Sequence, residues 1–171
     1  MYIKNSIAKI APKYTTKRML DDYLDKFYTM LASRTALLRA DKFKKAIEIA
    51  AWKDKVAGYW DNVSVQSTEM PENFGKDMSV GQEYQFKVTL QNAGMDHDLG
   101  IELIICNIRP DGKRTITVTE FDLLKSENGL HTYGLKYTLK RAGHFTYAVR
   151  VFPKNADLPH RQDFCYVKWI N

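Results

Sequence analysis

At Asn62 the spacing of apolar residues in this chain changes from a helical period to a strand period. That change restricts the fold to helices first and sheet afterwards. Before it, Leu20, Leu24, Phe27 and Leu31 recur at steps of four, three and four, which puts them on one helix face. Met19, Tyr23 and Leu38 widen that face. Thr15 or Thr16 supplies the N-cap, because a hydroxyl oxygen accepts a bond from an otherwise unpaired amide. Asp21 and Asp22 sit near the start, where negative charge suits the helix dipole. The pattern breaks near Arg39–Asp41, with Asp41 as the next cap, and then resumes. Phe43, Ile47 and Ala50 form one stripe; Trp52, Val56, Tyr59 and Trp60 form its neighbour, and Asp61–Asn62 ends the run. Residues 1–62 therefore read as two antiparallel helices joined by a short turn.

Residues 63–171 read as sheet. Seven runs rich in β-branched and aromatic residues follow one another: "VSVQS", "EYQFKVTLQ", "GIELIICNI", "TITVTEFDLL", "HTYGLKYTLK", "HFTYAVRVF" and "DFCYVKWI". In the second, Tyr84, Phe86, Val88 and Leu90 alternate with Gln85, Lys87 and Thr89, so one face is buried and the other wet. Turn-forming stretches separate the runs, among them "RPDGKR", whose Asp111–Gly112 core favours a tight hairpin. About seven such strands predict an immunoglobulin-like β-sandwich after the helical hairpin, α+β overall. The Cys…Trp…Cys spacing of true immunoglobulin domains is missing. Residues 66–82 are the approach to the sandwich.

Composition narrows the function classes. No apolar run approaches the roughly 18–20 residues needed to cross a bilayer. The N-terminal "MYIKNSIAKIAPKY" lacks a signal-peptide core, so the expected location is the cytoplasm. Cys106 and Cys165 lie in strand-like runs without metal-ligand spacing and read as buried free thiols. Lys and Arg outnumber Asp and Glu by 13 to 7 through Asn62 and match them at 13 to 13 afterwards, so the net charge of +6 lies wholly in the helices. A basic helix can meet nucleic acid, but Lys42, Lys44, Lys45, Lys53 and Lys55 wrap around more than one face.

No catalytic constellation emerges. His97 in "MDHDLG" has flanking aspartates that could hold a hard cation, although turn composition explains the stretch as well. No glycine-rich loop leads into a helix to cradle phosphate. The closing "LPHRQDF" contains His160 and Asp163, an acid/base candidate and its orienter, without a nucleophile. The favoured reading is structural: Pro159 sets the approach to the last strand, and His160, Arg161 and Asp163 bond locally as a clasp. Three tryptophans and ten tyrosines also admit a carbohydrate-binding module, which needs two or three coplanar exposed rings on one sandwich face.

Two segments carry a resemblance. "IAPKYTTKRMLDDYLDKFYTML" resembles the C-terminal helix of bacterial α-glucan (glycogen or maltodextrin) phosphorylases through Tyr14, Thr15, Thr16, Arg18, Met19, Tyr23, Phe27 and Tyr28. "PHRQDFCYVKWI" resembles the end of a β-domain appended to the short type of these enzymes in Bacteroides-like gut anaerobes. The resemblance implies a C-terminal piece of a larger enzyme, with the remainder of that chain as its partner and Met1 as a cloning start. It implies that the parent cleaves α-1,4-glucan with phosphate to glucose 1-phosphate. The parent would use pyridoxal phosphate on a lysine in a Gly- and Met-bearing segment, which does not occur in these residues. No catalytic, cofactor or metal residue is carried over, and the segment is expected to be inert alone. The sandwich would serve assembly, including a homo-oligomer, or substrate approach through α-glucan contact. The alternatives are a carbohydrate-binding module of another polysaccharide-active enzyme and a basic nucleic-acid-binding module.

Overall fold

The computed structural model of the chain describes residues 2–72, 74, 78–95, 97–108, 112–141 and 144–170. The Asp111 of the expected hairpin core and Asp96 of "MDHD" lie outside them. The chain divides into two compact units, Met1–Ala51 and Trp52–Asn171. A predominantly helical N-terminal segment precedes two antiparallel sheets, an α+β arrangement.

The first unit begins with a short helix α1 (Tyr2–Asn5), and α2 (Thr16–Tyr23) follows. Thr15, of the two candidate caps, caps α2 by accepting from the Arg18 amide at 3.2 Å. A π-helical turn, Leu24–Tyr28, joins α2 to α3 (Thr29–Tyr59). The wider turn brings Tyr23 within ring contact of both Phe27 and Tyr28, at 6.2 and 6.3 Å. Leu20, Leu24, Phe27 and Leu31 are each about half exposed, so the predicted apolar stripe has no cover within its own unit. The expected break falls inside α3. Ala40 is extended (ψ 154), and Asp41, Lys42 and Phe43 are left-handed (φ 48, 55 and 66). Asp41 therefore lacks the extended backbone of an N-cap. Of the three, only Asp41 is a residue type that visits this region readily.

In the second unit, β1 (Ser64–Glu69), β2 (Glu83–Gln91), β6 (Leu130–Thr138) and β5 (Asp122–Glu127) form one sheet in the order β1-β2-β6-β5. The other has the order β4-β3-β7-β8, from β3 (Leu99–Ile108), β4 (Arg114–Glu120), β7 (His144–Pro153) and β8 (Lys168–Ile170). The central pairs run without a register break, from Glu83↔Thr138 to Gln91↔Leu130 and from Leu99↔Pro153 to Ile108↔His144. Tyr84, Phe86, Val88 and Leu90 are buried, as their alternation requires, and pack with Ile101, Leu103, Ile105, Val149 and Val151. Val56, near the end of α3, and Trp60, in the 3-10 turn that follows it, join the same core.

Further expectations are corrected. The cysteines are not buried: Cys165 is exposed and Cys106 half-buried. "TITVTEFDLL" is not one strand, so the described residues hold eight strands in place of about seven. Phe121 is buried between β4 and β5, and its amide donates to Ile101 O at 2.9 Å. The chain turns at this ring and passes from one sheet to the other. "DFCYVKWI" pairs as a strand only over Lys168–Ile170, because Arg161–Asp163 form a 3-10 turn.

Candidate functional site

The C-terminal segment meets the outer face of the second sheet at Glu102. This carboxylate is fully buried, although it stands on the face turned away from the sandwich core. Arg150, its cross-strand neighbour on β7, donates to Oε1 through Nε, and Arg161 forms an ion pair with Oε2 through Nη1. A buried carboxylate is tolerable only with such partners. The Arg161 guanidinium lies over the Phe152 ring at 4.0 Å, a cation–π distance. Partial burial holds its pKa below the ordinary value. Its Nη2 is 4.0 Å from Glu120, whose other oxygen holds Lys154 at 2.5 Å. Beneath Phe152 lies Gly100: a Cβ there would stand 2.5 Å from the ring. Gly100, Phe152 and Arg161 thus stack in layers over β3.

Of the other residues expected in this corner, His160 caps the 3-10 turn through Nδ1, which accepts from the Gln162 amide at 3.1 Å. That nitrogen is therefore not held by the Asp163 carboxylate, as an acid/base pair would need. The Asp163 carbonyl accepts from Lys53 Nζ at 3.1 Å, and Pro159 is exposed at the bend before the turn. Sequence reasoning found Arg161 but missed Glu102, Arg150 and Phe152. The available signal was a lone carboxylate inside the apolar run "IELII".

The same segment covers the end of α3. Trp52 contacts Phe164 at 5.3 Å, Trp60 contacts Tyr166 at 5.4 Å, and Phe164 contacts Tyr166 at 4.9 Å. The Trp52 indole donates to Asp98 at 2.8 Å, and Lys55 pairs with Asp98 at 2.9 Å. Asp98 of "MDHDLG" is thereby committed to two partners. Among the described residues no group of three His, Cys, Asp or Glu stands close enough to hold a metal.

A cleft of about 1000 Å³ opens between the sheets on the side of β4. Thr115, Thr117 and Thr119 line one wall, with Ile105 and Asn107 beside them; Tyr137 and Phe145 supply rings, and Lys136, Lys140 and Arg141 bring positive charge. β4 presents alternate residues to each face, so three hydroxyls run in a row along the wall. Burial raises the pKa of the Tyr137 phenol, which stays neutral at physiological pH.

A pyridoxal cofactor needs a lysine enclosed with it. Every lysine among the described residues keeps part of its side chain exposed, so these residues do not fit the group. No described helix is long and apolar enough to cross a membrane.

Comparison with known proteins agrees with the two-segment resemblance. The chain is 30% identical, over 98% of its length, to a maltodextrin phosphorylase of Thermococcus litoralis, and spans 20% of that relative. Residues 60–171, which begin at the core Trp60 and contain the whole sandwich, match the glycogen phosphorylase C-terminal domain, and the chain belongs to that family.

Proposed function

We propose that this chain is the non-catalytic C-terminal accessory region of an α-glucan phosphorylase, and that its sandwich holds α-glucan beside the catalytic body. The parent would carry the pyridoxal phosphate and release glucose 1-phosphate. The observation that carries the glucan part is the cleft. A sugar presents hydroxyl rims and apolar C–H faces. A row of threonine hydroxyls opposite Tyr137 and Phe145 offers a complement to both.

The half-exposed stripe of Leu20, Leu24, Phe27 and Leu31 supports a second part of the reading, that the remainder of the phosphorylase chain covers it. The helical stretches on either side of residues 40–43 would then form the hairpin that completes the parent. The strand orders β1-β2-β6-β5 and β4-β3-β7-β8 support an immunoglobulin-like assignment for the sandwich.

Calorimetric titration with maltoheptaose tests the glucan part. Saturable binding is expected, at least about tenfold weaker for Tyr137→Ala and weaker for Thr117→Val, with both variants folded. Absence of saturable binding to the wild-type chain would remove glucan contact from the reading.

A further inference from the structure

Among the described residues four strands stand at sheet edges: β1, β5, β4 and β8. An edge strand offers unpaired amides and carbonyls to any other strand, and proteins guard such edges with bulges, short length, proline or inward lysine. β1 is bulged between Val65 and Ser67, and β5 between Leu123 and Lys125. β8 is only three residues long. β4 has none of these protections. Its seven residues, "RTITVTE", pair with β3 from Ile108↔Arg114 to Glu102↔Glu120 without a bulge.

The sequence of that edge is self-complementary. Laid antiparallel on a copy of itself about Thr117, the strand sets Arg114 opposite Glu120, Thr115 opposite Thr119, Ile116 opposite Val118, and Thr117 opposite itself. Opposite charges, threonine pairs and β-branched pairs are the cross-strand combinations that stabilise a sheet. The hydrogen-bond phase agrees. The Phe121 amide donates to Ile101 O, so in an antiparallel ladder Thr115, Thr117 and Thr119 turn their backbone groups to β3. Arg114, Ile116, Val118 and Glu120 turn theirs to the open edge. The residues whose backbones face outward are the ones that pair with each other in this register. Ile116 and Val118 are also 65% and 47% exposed on the outer face, where the pairing would bring them together.

We propose that two copies of this chain associate through β4, antiparallel about Thr117, joining their second sheets into one continuous sheet across a two-fold axis. Such an axis requires a patch that is complementary to itself, which "RTITVTE" provides. The inference does not rest on the glucan reading, and its test reads mass, not sugar binding.

The test uses the residue on the axis. Thr117→Lys sets two ammonium groups opposite each other in the dimer, and Thr117→Glu sets two carboxylates there; each variant alone is expected to sediment as a monomer with wild-type circular dichroism. An equimolar mixture is expected to sediment as a heterodimer, because lysine then faces glutamate. Ile116→Pro, which removes an outward amide and spares the β3 ladder, is expected to be monomeric as well. A wild-type chain that stays monomeric at every concentration would overturn the proposal. So would dimers that survive both Thr117 variants, the result expected if copies meet through the Leu20–Leu31 stripe, or a mixture that stays monomeric.

Discussion

Arg161 reaches the fully buried carboxylate of Glu102 and stacks on Phe152 at 4.0 Å in the same movement. The contact ties the C-terminal segment to β3 and β7, the two central strands of their sheet. Its loss would leave Glu102 with Arg150 alone. We propose a clasp role for this corner, and Arg161→Ala is expected to cost about 1–3 kcal/mol, the usual penalty for unpairing a buried polar group. Arg161→Lys should recover only part, since an ammonium cannot reproduce the planar stack and fork. His160→Ala should cost less, because it removes one exposed cap bond. Urea unfolding of the three variants measures the order, and an Arg161→Ala midpoint equal to wild type would refute the clasp.

Gly100 carries a second prediction. Its would-be Cβ meets three atoms of the Phe152 ring, at 2.5, 2.9 and 2.9 Å. The ring cannot yield easily, because Arg161 covers its other side. Gly100→Ala should therefore destabilise the sandwich by about 1–3 kcal/mol, the range for overpacking. Combined with Phe152→Leu, the glycine substitution should cost less than it does alone. A thermal-melt double-mutant cycle showing strict additivity would mean that ring and glycine are not coupled.

Tyr133 makes stability depend on pH in the alkaline range. Burial, and secondarily the Glu120 charge, push its phenol from 10.0 up to about 12. Between those values the unfolded phenol ionises while the folded one keeps its proton. The unfolded state is favoured, so stability falls as pH rises through this window. At about 1.4 kcal/mol per unit the loss reaches about 3 kcal/mol, and the contribution is fully present below pH 10. Tyr133→Phe gives up the hydroxyl bond to Leu99 O but lacks this dependence. The unfolding free energy of wild type relative to Tyr133→Phe should fall from pH 10 to pH 12 and change sign within that window; parallel curves would contradict the burial argument.

What the sequence made legible followed from local physics. The alternation of "EYQFKVTLQ" reports a half-buried strand because a pleat has two faces, and Tyr84, Phe86, Val88 and Leu90 are buried accordingly. Thr15 caps its helix through a bond that spans three residues. Tertiary facts were not legible. "TITVTEFDLL" keeps strand propensity throughout, so nothing local marks Phe121 as the point where the chain changes sheets. Glu102 alternates like a solvent-facing residue and is buried only because Arg161 and its neighbours fold over it. Trp52, Val56 and Trp60 are a helical stripe by spacing. That they pack with the sandwich unit depends on Phe164, Tyr166 and Asp98, which are distant in sequence.

The division within the helical segment leads to the last prediction. Amide protection depends on the cost of opening the structure around each bond, and an isolated helix with an uncovered apolar face opens cheaply. Along α2 and the first part of α3, Leu20, Leu24, Phe27 and Leu31 are about half exposed. Nearer the end of α3, Val56 is fully buried and Trp60 nearly so, and Trp52 is held by Asp98 and Phe164. Hydrogen exchange should therefore divide α2 and the first part of α3 from the end of α3. Residues 16–39 should exchange early, and residues 52–59 should exchange with the slow core of the sandwich, alongside β2 and β3. Phe27→Asp should leave both rates nearly unchanged in this chain, because the ring is already about half exposed and its ring contact is with Tyr23 of the same helical segment. Equal and slow exchange from Thr16 to Tyr59 would show that the stripe is covered in solution. Loss of that protection on Phe27→Asp would then identify Phe27 as part of the covered surface.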